Sequence, residues 1–177
     1  GDVYKRQGKP IHNAIVWQCT RGQNICDDLL RNKELTQTIQ KKTGLQPNTF
    51  FSGSKLNWLI ENNSEISSKI ESEEICFGTI ETYLIYRLTN LESFVTDTTN
   101  ASRTLLFNCL NNKWDEELLY IFNIKNIQFP KIKKSSELFG ESDFEGSFNK
   151  RIPIIGVAGD AQASFFANSC FKKGDTK

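Results

Sequence analysis

The chain has 177 residues, of which 38% are apolar and 24% are charged, and this balance permits a packed core and excludes wholesale disorder. Its 22 basic and 21 acidic residues leave a net charge of +1, and the short basic cluster Lys131–Lys134 fits a solvated loop better than a nucleic-acid-binding patch. No run of about 18 consecutive apolar residues occurs, so no membrane insertion is expected.

The cysteines and the two ends of the chain indicate a cytoplasmic piece of a longer protein. Five scattered cysteines and a single histidine make a structural zinc site improbable, and free thiols in a reducing cytoplasm are the simplest interpretation. The polar N-terminus does not have the pattern of a signal peptide. The chain contains no methionine and stops at Lys177 directly after a helical pattern, so we expect it to be a fragment.

The first half of the chain predicts one strand followed by three helices. The strand is the mostly apolar run Ile11–Trp17, which Gly8 and Pro10 precede. The helical predictions rest on apolar residues that share a face and on end signals. They are a helix carrying Ile25, Leu29 and Leu30, a helix from about Glu34 that ends at Gly44, and a helix carrying Leu56, Leu59 and Ile60 after a turn at 51–54.

The next part of the chain predicts alternating helices and strands. The elements are a helix over Thr79–Leu88, strands at Phe94–Thr96 and Thr104–Phe107 around a polar loop, and a helix over Asp115–Phe122. The first of these helices carries its apolar residues on one side: Ile80, Tyr83, Leu84 and Leu88. The last one has acidic residues in its first turn, which complement the helix dipole.

The final third carries the strongest pattern. Ile152–Ala158 is a nearly unbroken apolar run, as expected of a strand that is buried on both faces. Gly159 and Asp160 interrupt the run, and Ala161–Phe171 resumes with helical spacing. The mixture of strands and helices predicts an α/β architecture.

Asp160 is the side chain that the sequence places best for a chemical role. An acid between a buried strand and a helix stands where α/β sheets place ligands, and Gly159 before it allows a sharp turn and a close ligand approach. Such a carboxylate can accept a proton from a hydroxyl that attacks a phosphoryl group, or it can hold Mg²⁺. The same pattern is also typical of a plain helix cap, because Asp is a favoured capping residue. The residues alone favour the cap.

The remaining notable side chains have structural interpretations by default. His12 is a lone histidine, for which a structural or surface role is simpler than catalysis. Trp17, Trp58 and Trp114 are expected to be core or amphipathic surface residues. Arg103 is either a buried ion-pair donor or a contact to an anion, and the sequence leaves both open.

Five segments, in matching order, resemble the FGGY family of carbohydrate kinases. They are Gly8–Cys19, Phe50–Asn62, Phe77–Ile85, Thr96–Asn108 and Ile155–Asp160. The first segment, with its tryptophan, and the fourth, with its arginine, are most similar to the members that phosphorylate glycerol. Residues 1–7 match nothing in the family and are expected to be foreign to the native protein.

The resemblance implies an actin-like, ribonuclease-H-like ATPase fold of two domains with ATP in the cleft between them. Residues 8–159 would then be the later part of the N-terminal FGGY domain. Residues 160–177 would form the strand-to-helix transition that leads into the C-terminal FGGY domain.

The resemblance also implies an activity, namely ATP-dependent phosphorylation of glycerol to sn-glycerol 3-phosphate with Mg²⁺. Asp160 would be the catalytic base close to Mg²⁺, and Trp17 the apolar wall of the glycerol site. The family's phosphate-binding loops and its glycerol-gripping Arg-Glu pair lie outside this chain, so the isolated piece is expected to be inactive. A homo-oligomer of the full-length protein is also anticipated. Regulation by fructose 1,6-bisphosphate is not expected, because residues 144–150 lack the several glycines of the regulated enzymes.

Two substrate-site positions depart from the family pattern. Phe50 stands where a tyrosine usually binds glycerol, and Ala161 stands where a glutamine usually follows the catalytic aspartate. At about 0.5–1.5 kcal/mol for each hydrogen bond, their loss weakens glycerol binding by roughly one order of magnitude. Gln162 is one candidate to replace the missing amide, although it points about 100° away from position 161 on a helix.

The departures leave two alternatives open. One is an FGGY kinase for another polyol or a ketose, of the erythritol, xylulose or ribulose type; Phe50 and Ala161 favour it, whereas Trp17 and Arg103 oppose it. The other is a non-catalytic relative with the actin-like fold, and the presence of Asp160 opposes that interpretation.

Overall fold

The computed structural model describes residues 2–5, 8–71 and 75–177, with the backbone alone for 2–5 and 71. Within these residues the helices are α1 (Gln23–Arg31), α2 (Lys33–Thr43), α3 (Ser52–Asn62), α4 (Ser64–Glu71), α5 (Ile80–Leu88), α6 (Thr98–Ala101), α7 (Glu116–Ile121) and α8 (Asp160–Ala167). The strands are β1 (Asp2–Lys5), β2 (Ile75–Gly78), β3 (Val95–Asp97), β4 (Phe107–Asn108), β5 (Lys113–Trp114), β6 (Lys131–Lys133), β7 (Gly140–Ser142) and β8 (Ile152–Ile154).

The described strands pair two by two. Strands β1 and β2, β4 and β5, and β7 and β8 are antiparallel pairs, whereas β3 and β6 are parallel, with Asp97 opposite Lys133. A parallel pair requires a long crossover connection, and α6, β4, β5 and α7 lie in it. The mixed arrangement confirms the predicted α/β class.

The main core lies among the helices of the first half of the chain. Its most deeply buried members come from α2, α3, α4 and α7 and the segments beside them: Ile39, Leu56, Ile66, Ile75, Leu105, Leu106, Leu118 and Phe122. The predicted helices α1, α2, α3, α5 and α7 are confirmed. Helix α2 ends at Gly44 with φ of 72°, the left-handed cap conformation that glycine adopts without steric cost.

A second, smaller cluster anchors the C-terminal part of the chain. Ile85 of α5, Val95 of β3 and Phe139 are buried together, and Ile154 and Val157 pack against them. This cluster holds the segment before Asp160 against β3, and it therefore positions the start of α8.

The predicted strand at Ile11–Trp17 is wrong. No strand is assigned there, and the chain instead turns, with the Cys19 N–H donating to the Val16 carbonyl at 3.1 Å. Ile15 is buried, whereas Val16 and Trp17 are exposed. An apolar run becomes a strand only when a neighbouring strand accepts its hydrogen bonds, and here Ile15 reaches the core from an irregular segment.

The predicted doubly buried strand at Ile152–Ala158 is also wrong in extent and burial. Strand β8 ends at Ile154, and it pairs with β7 at the edge of a two-stranded sheet. Ile155 is 66% exposed. The half-buried and exposed positions of β8 show that this strand is not covered on both faces, as the composition of the run had led us to expect.

Three other predictions need correction. The strand expected at Thr104–Phe107 is confined to β4, because Leu105 has φ of 64° and breaks the extended backbone. Helix α5 buries Thr82 and Ile85 and exposes Ile80 and Leu84, so its buried face is not the predicted one. The last helix, α8, ends at Ala167 rather than at position 171. Helix α4 has no counterpart in the sequence-based expectations.

Of residues 1–7, which were expected to be foreign, residues 1, 6 and 7 lie outside the described part of the chain, and the backbone of 2–5 pairs with β2. Among the described helices, none is both long enough and apolar enough to cross a membrane.

Candidate functional site

The first part of the candidate site is an aromatic cluster with an arginine. The rings of Trp17 and Phe50 have centroids 5.8 Å apart, and Phe50 meets Phe51 edge-on at 5.3 Å. The guanidinium carbon of Arg103 lies 4.8 Å from the Phe51 ring centre and 5.9 Å from that of Phe50. Cation–π attraction therefore holds Arg103 beside the predicted substrate residues, and among the described residues no salt bridge involves Arg103.

The backbone of Phe50 is held on both sides just before α3. Its N–H donates to Asn48 Oδ1 at 2.8 Å, and its carbonyl accepts from Lys55 Nζ at 3.1 Å. Lys55 is only 4% exposed, and burial lowers the pKa of its ammonium group. These two bonds fix the backbone from which the exposed Phe50 ring projects.

The turn that carries Trp17 has basic surroundings. Arg21 donates from Nε to the Cys19 sulfur at 3.1 Å, and its guanidinium stacks over Trp58 at 5.0 Å. Partial burial raises the pKa of the Cys19 thiol, but the hydrogen bonds from Arg21 outweigh it and lower the pKa below its usual value. Arg21, Lys55 and Arg103 therefore place basic side chains next to the segments that carry Trp17 and Phe50.

The second part of the candidate site is the start of α8. The cap residue is Gly159, in extended conformation, and Asp160 is the first residue of the helix, with an exposed side chain. Asp160 is therefore not the capping residue of this helix. As an acid in the first turn, it still interacts favourably with the helix dipole.

An open cavity of about 510 Å³ lies next to the start of α8. Its walls are formed by Thr99, Ser135 and Ser136, by Gly156, Val157 and Ala158, and by Gln162, Ala163 and Phe166 of α8. The Gln162 amide oxygen lies close to Gly159, where an added Cβ would approach it to 2.8 Å. Gln162 thus faces the cavity, whereas Ala161 is exposed.

One short segment, residues 98–103, connects the two parts. At its beginning, Thr99 accepts a hydrogen bond from the Gly159 N–H at 2.7 Å, and at its end Arg103 contacts Phe50 and Phe51. The structure brings Trp17 and Phe50 into one cluster and places Asp160 and Ala161 beside the other end of this segment. Sequence reasoning missed Asp97, Thr99 and Lys55, although all three lie inside the matching family segments.

The other residues singled out from the sequence make contacts within the chain. The half-buried His12 ring lies 2.6 Å from the Asn13 carbonyl oxygen. Trp58 packs against the main core, and Trp114 does so while donating its indole N–H to the Pro130 carbonyl at 2.8 Å. Cys19, Cys26, Cys109 and Cys170 are free thiols.

The donor set for a metal ion is small. Among the described residues, no group of three or more His, Cys, Asp or Glu side chains is close enough to hold a metal. Mg²⁺ commonly binds through one or two carboxylates together with substrate phosphates, and a single exposed Asp160 fits that mode.

Comparison with known proteins agrees with this fold. Residues 3–167 match the model of the N-terminal domain of the FGGY family of carbohydrate kinases. Because the match spans most of the chain, this chain belongs to that family.

Within the family, the similar curated relatives are glycerol kinases. The chain is 49% identical over 170 residues to the glycerol kinase of Sinorhizobium fredii, with 96% of this chain and 34% of the relative covered. It is 48% identical over 176 residues to that of Rhizobium meliloti, with 99% and 35% covered. The chain therefore spans about a third of the length of these relatives.

The similar solved structures also include a glycerol kinase. The glycerol kinase of Plasmodium falciparum with ADP superimposes with a TM-score of 0.89 at 40% identity, covering 98% of this chain and 34% of that one. This likeness confirms the expected FGGY kinase fold.

Proposed function

We propose that the full-length protein transfers the γ-phosphoryl group of ATP to glycerol and produces sn-glycerol 3-phosphate. The exposed carboxylate of Asp160 at the start of α8 is the observation that carries the proposal, because Gly159 takes the capping position and leaves that carboxylate free to react. The likeness to glycerol kinases at up to 49% identity supports the substrate. The ADP in the similar Plasmodium structure supports a nucleotide as the phosphoryl donor.

In the proposed reaction, Asp160 accepts the proton of the attacking glycerol hydroxyl. Phosphoryl transfer depends mainly on positioning and on stabilisation of negative charge, so the base needs a defined place rather than unusual reactivity. The N-terminus of α8 contributes unpaired backbone N–H groups, which favour an anionic phosphoryl group nearby. Bound Mg²⁺ would neutralise phosphate charge, and Asp160 would offer it a carboxylate.

The substrate wall would be formed by Trp17 and Phe50. Their rings are in contact and are 61% and 45% exposed, so they present an apolar surface that can cover the carbon chain of glycerol. Arg103, which stacks on Phe50 and Phe51, would keep positive charge at the edge of that surface. This arrangement supports a small polyol and a negatively charged product.

A second polyol or a ketose is the alternative substrate. Phe50 and Ala161 offer no side-chain hydrogen bond to a substrate hydroxyl, and a site built on hydrogen bonds discriminates better than an apolar one. Gln162 faces the neighbouring cavity together with Thr99 and supplies an amide there.

The free thiols of Cys19, Cys26, Cys109 and Cys170 favour a reducing compartment, and we infer that the protein works in the cytoplasm. The homo-oligomer stays a prediction.

The test of catalysis is Asp160→Asn in the full-length protein. We expect turnover with ATP and glycerol to be abolished, while the thermal unfolding temperature stays near that of the unchanged protein, because Asp160 is exposed. Asp28→Asn is the matched control, since Asp28 is an exposed aspartate on α1. Near-normal rates of the Asp160 variant would remove this residue from the mechanism.

The test of the substrate is a comparison of kcat/KM for glycerol, erythritol, xylulose and ribulose. Glycerol is expected to give the highest value. A higher kcat/KM for another compound would mean that this compound, and not glycerol, is the substrate. An absence of turnover on all four would favour a non-catalytic relative.

A further inference from the structure

The carboxylate of Asp97 is completely buried at the end of β3 and is surrounded by neutral donors. It accepts five hydrogen bonds: from the Thr99 and Asn100 backbone N–H groups, the Thr99 hydroxyl, the Asn100 side-chain amide and the Ser135 hydroxyl, at 2.6–3.1 Å. Burying a charge is costly unless it is well satisfied. So many donors around one carboxylate indicate a rigid centre.

Two of these donors also hold the segment that leads to Asp160. The Thr99 hydroxyl donates to Asp97 Oδ2 at 2.6 Å and accepts from the Gly159 N–H at 2.7 Å. Ser135 donates its hydroxyl to the same Oδ2 atom at 2.7 Å, and its carbonyl accepts from the Val157 N–H at 3.0 Å. The N–H groups of Val157 and Gly159 are therefore both tied to Asp97 through one intermediate residue.

The other side of Gly159 is held by α8 itself. Its carbonyl accepts from the Ala163 N–H at 2.8 Å, which closes the first turn of the helix. The residue before Asp160 is thus fixed at its N–H by Thr99 and at its carbonyl by the helix. These two bonds restrain the backbone from which Asp160 projects.

We propose that Thr99, oriented by Asp97, is a positioning residue that sets the place of the Asp160 carboxylate for phosphoryl transfer. The proposal rests on the proposed function of Asp160. Neither Asp97 nor Thr99 needs to touch the substrate, since they act through the backbone of Gly159. The hydroxyl of Thr99 is suited to this role because it donates to a fixed carboxylate and accepts from the peptide at the same time.

The expected effect is on the rate rather than on substrate binding. A displacement of about 1 Å at a reacting group can lower a rate by about 100-fold. Loss of an interaction that matters only in the transition state lowers kcat and kcat/KM equally, whereas a loss of substrate contacts raises KM.

The main test is Thr99→Val in the full-length protein, with Thr99→Ser and Thr98→Val beside it. Valine keeps the shape of threonine and removes the hydroxyl; serine keeps the hydroxyl. Thr98→Val is the same change one residue earlier in α6, whereas the bond to Gly159 is made by Thr99. We expect Thr99→Val to lower kcat by about 10- to 100-fold with little change in KM for glycerol. Thr99→Ser and Thr98→Val are expected to stay within about threefold of the unchanged protein.

Ser135→Ala provides a second test that does not alter Thr99. It removes one of the five donors to Asp97 and leaves the Ser135 carbonyl on Val157, so we expect a smaller fall of kcat, by about 3- to 10-fold. This variant decides the matter if Thr99→Val does not fold.

The outcomes separate the two proposals. If Asp160→Asn abolishes turnover but Thr99→Val and Ser135→Ala keep normal kcat, the positioning role is wrong and the proposed base stands. A fall in kcat that Thr99→Ser does not reverse, or an equal fall in Thr98→Val, also overturns the positioning role. If Asp160→Asn keeps its rate, both proposals fail together.

Discussion

The indole of Trp17 and the ring of Phe50 pack against each other with their planes tilted by 51°. Trp17 lies in an irregular segment, and Phe50 lies two residues before the start of α3. Only the tertiary structure brings them together. Trp17 is 61% exposed and Phe50 is 45% exposed. They form the apolar surface to which the proposed substrate would bind.

Phe50→Tyr is expected to strengthen glycerol binding. A tyrosine adds a hydroxyl at the edge of this surface, and one hydrogen bond of about 0.5–1.5 kcal/mol lowers KM for glycerol by about 2- to 10-fold. Steady-state kinetics of the full-length protein measure the change. Phe148→Tyr is the matched control, because Phe148 is similarly exposed, at 48% against 45%. An unchanged or higher KM in Phe50→Tyr would mean that glycerol does not meet this position.

Trp17→Ala is expected to weaken substrate binding and to leave the fold stable. Loss of the indole removes apolar contact worth about 1.4 kcal/mol or more, which corresponds to at least about a tenfold rise in KM for glycerol. Because Trp17 is 61% exposed, we expect only a small change in the unfolding temperature. Tyr120→Ala on α7, where the aromatic residue is 75% exposed, provides the control. Equal KM values in both variants would place the substrate elsewhere.

Lys42 and Asp115 form an ion pair between α2 and the start of α7. Lys42 Nζ lies 2.7 Å from Asp115 Oδ1, and the same carboxylate caps α7 and accepts from Asn108. Burial raises the pKa of Asp115, but the bonds from Lys42, Asn108 and Leu118 outweigh it and lower the pKa. Burial lowers the pKa of Lys42, and its two carboxylate partners raise it above the usual value.

These shifts predict a defined pH range for the stabilisation. A carboxyl whose folded pKa is lowered stabilises the protein above its unfolded pKa of about 3.9, and this contribution is lost as pH falls through the folded pKa. Lys42, whose folded pKa is raised, stabilises the folded protein below its unfolded pKa of about 10.4. This contribution is lost as pH rises through the folded pKa. The pair therefore contributes fully between about pH 4 and pH 10.

Asp115→Asn is expected to lower the unfolding temperature at neutral pH by a few degrees. The change retains an oxygen acceptor for the cap and removes charge-assisted bonds worth about 1.5–3 kcal/mol. The difference in unfolding temperature between the variant and the unchanged full-length protein is expected to narrow below about pH 4. Glu117→Gln, at the exposed partner of Lys42, serves as control and should cost less. A difference in unfolding temperature that does not depend on pH would show that the pair stabilises the protein through packing and not through its charges.

Local signals explain which elements could be predicted. Helix α2 was delimited correctly because Gly44 permits the left-handed cap, and α7 because Asp115 caps it and acids fill its first turn. These signals act within one turn of the chain, so they do not depend on distant neighbours. The strand predictions failed at Ile11–Trp17 and Ile152–Ala158, because a strand depends on a partner that the apolar pattern does not reveal.

The site was predicted unevenly. Trp17, Phe50, Asp160 and Ala161 were named from resemblance to the family, and their roles in catalysis and binding stay predictions. The hydrogen-bond relay through Asp97 and Thr99 could not be foreseen, because Gly159 is 60 residues away from Thr99 in the chain.

The sequence by itself determined the family and the class of fold, and it located helices α1, α2, α3, α5 and α7, since these follow from local propensity and from ordered motifs. Only the tertiary structure decided that Trp17 meets Phe50, that Arg103 stacks on the aromatic pair and that Asp97 holds the backbone before Asp160. Such contacts join residues far apart in the chain. They depend on how the helices and strands pack, and packing is a property of the whole fold that no local pattern contains.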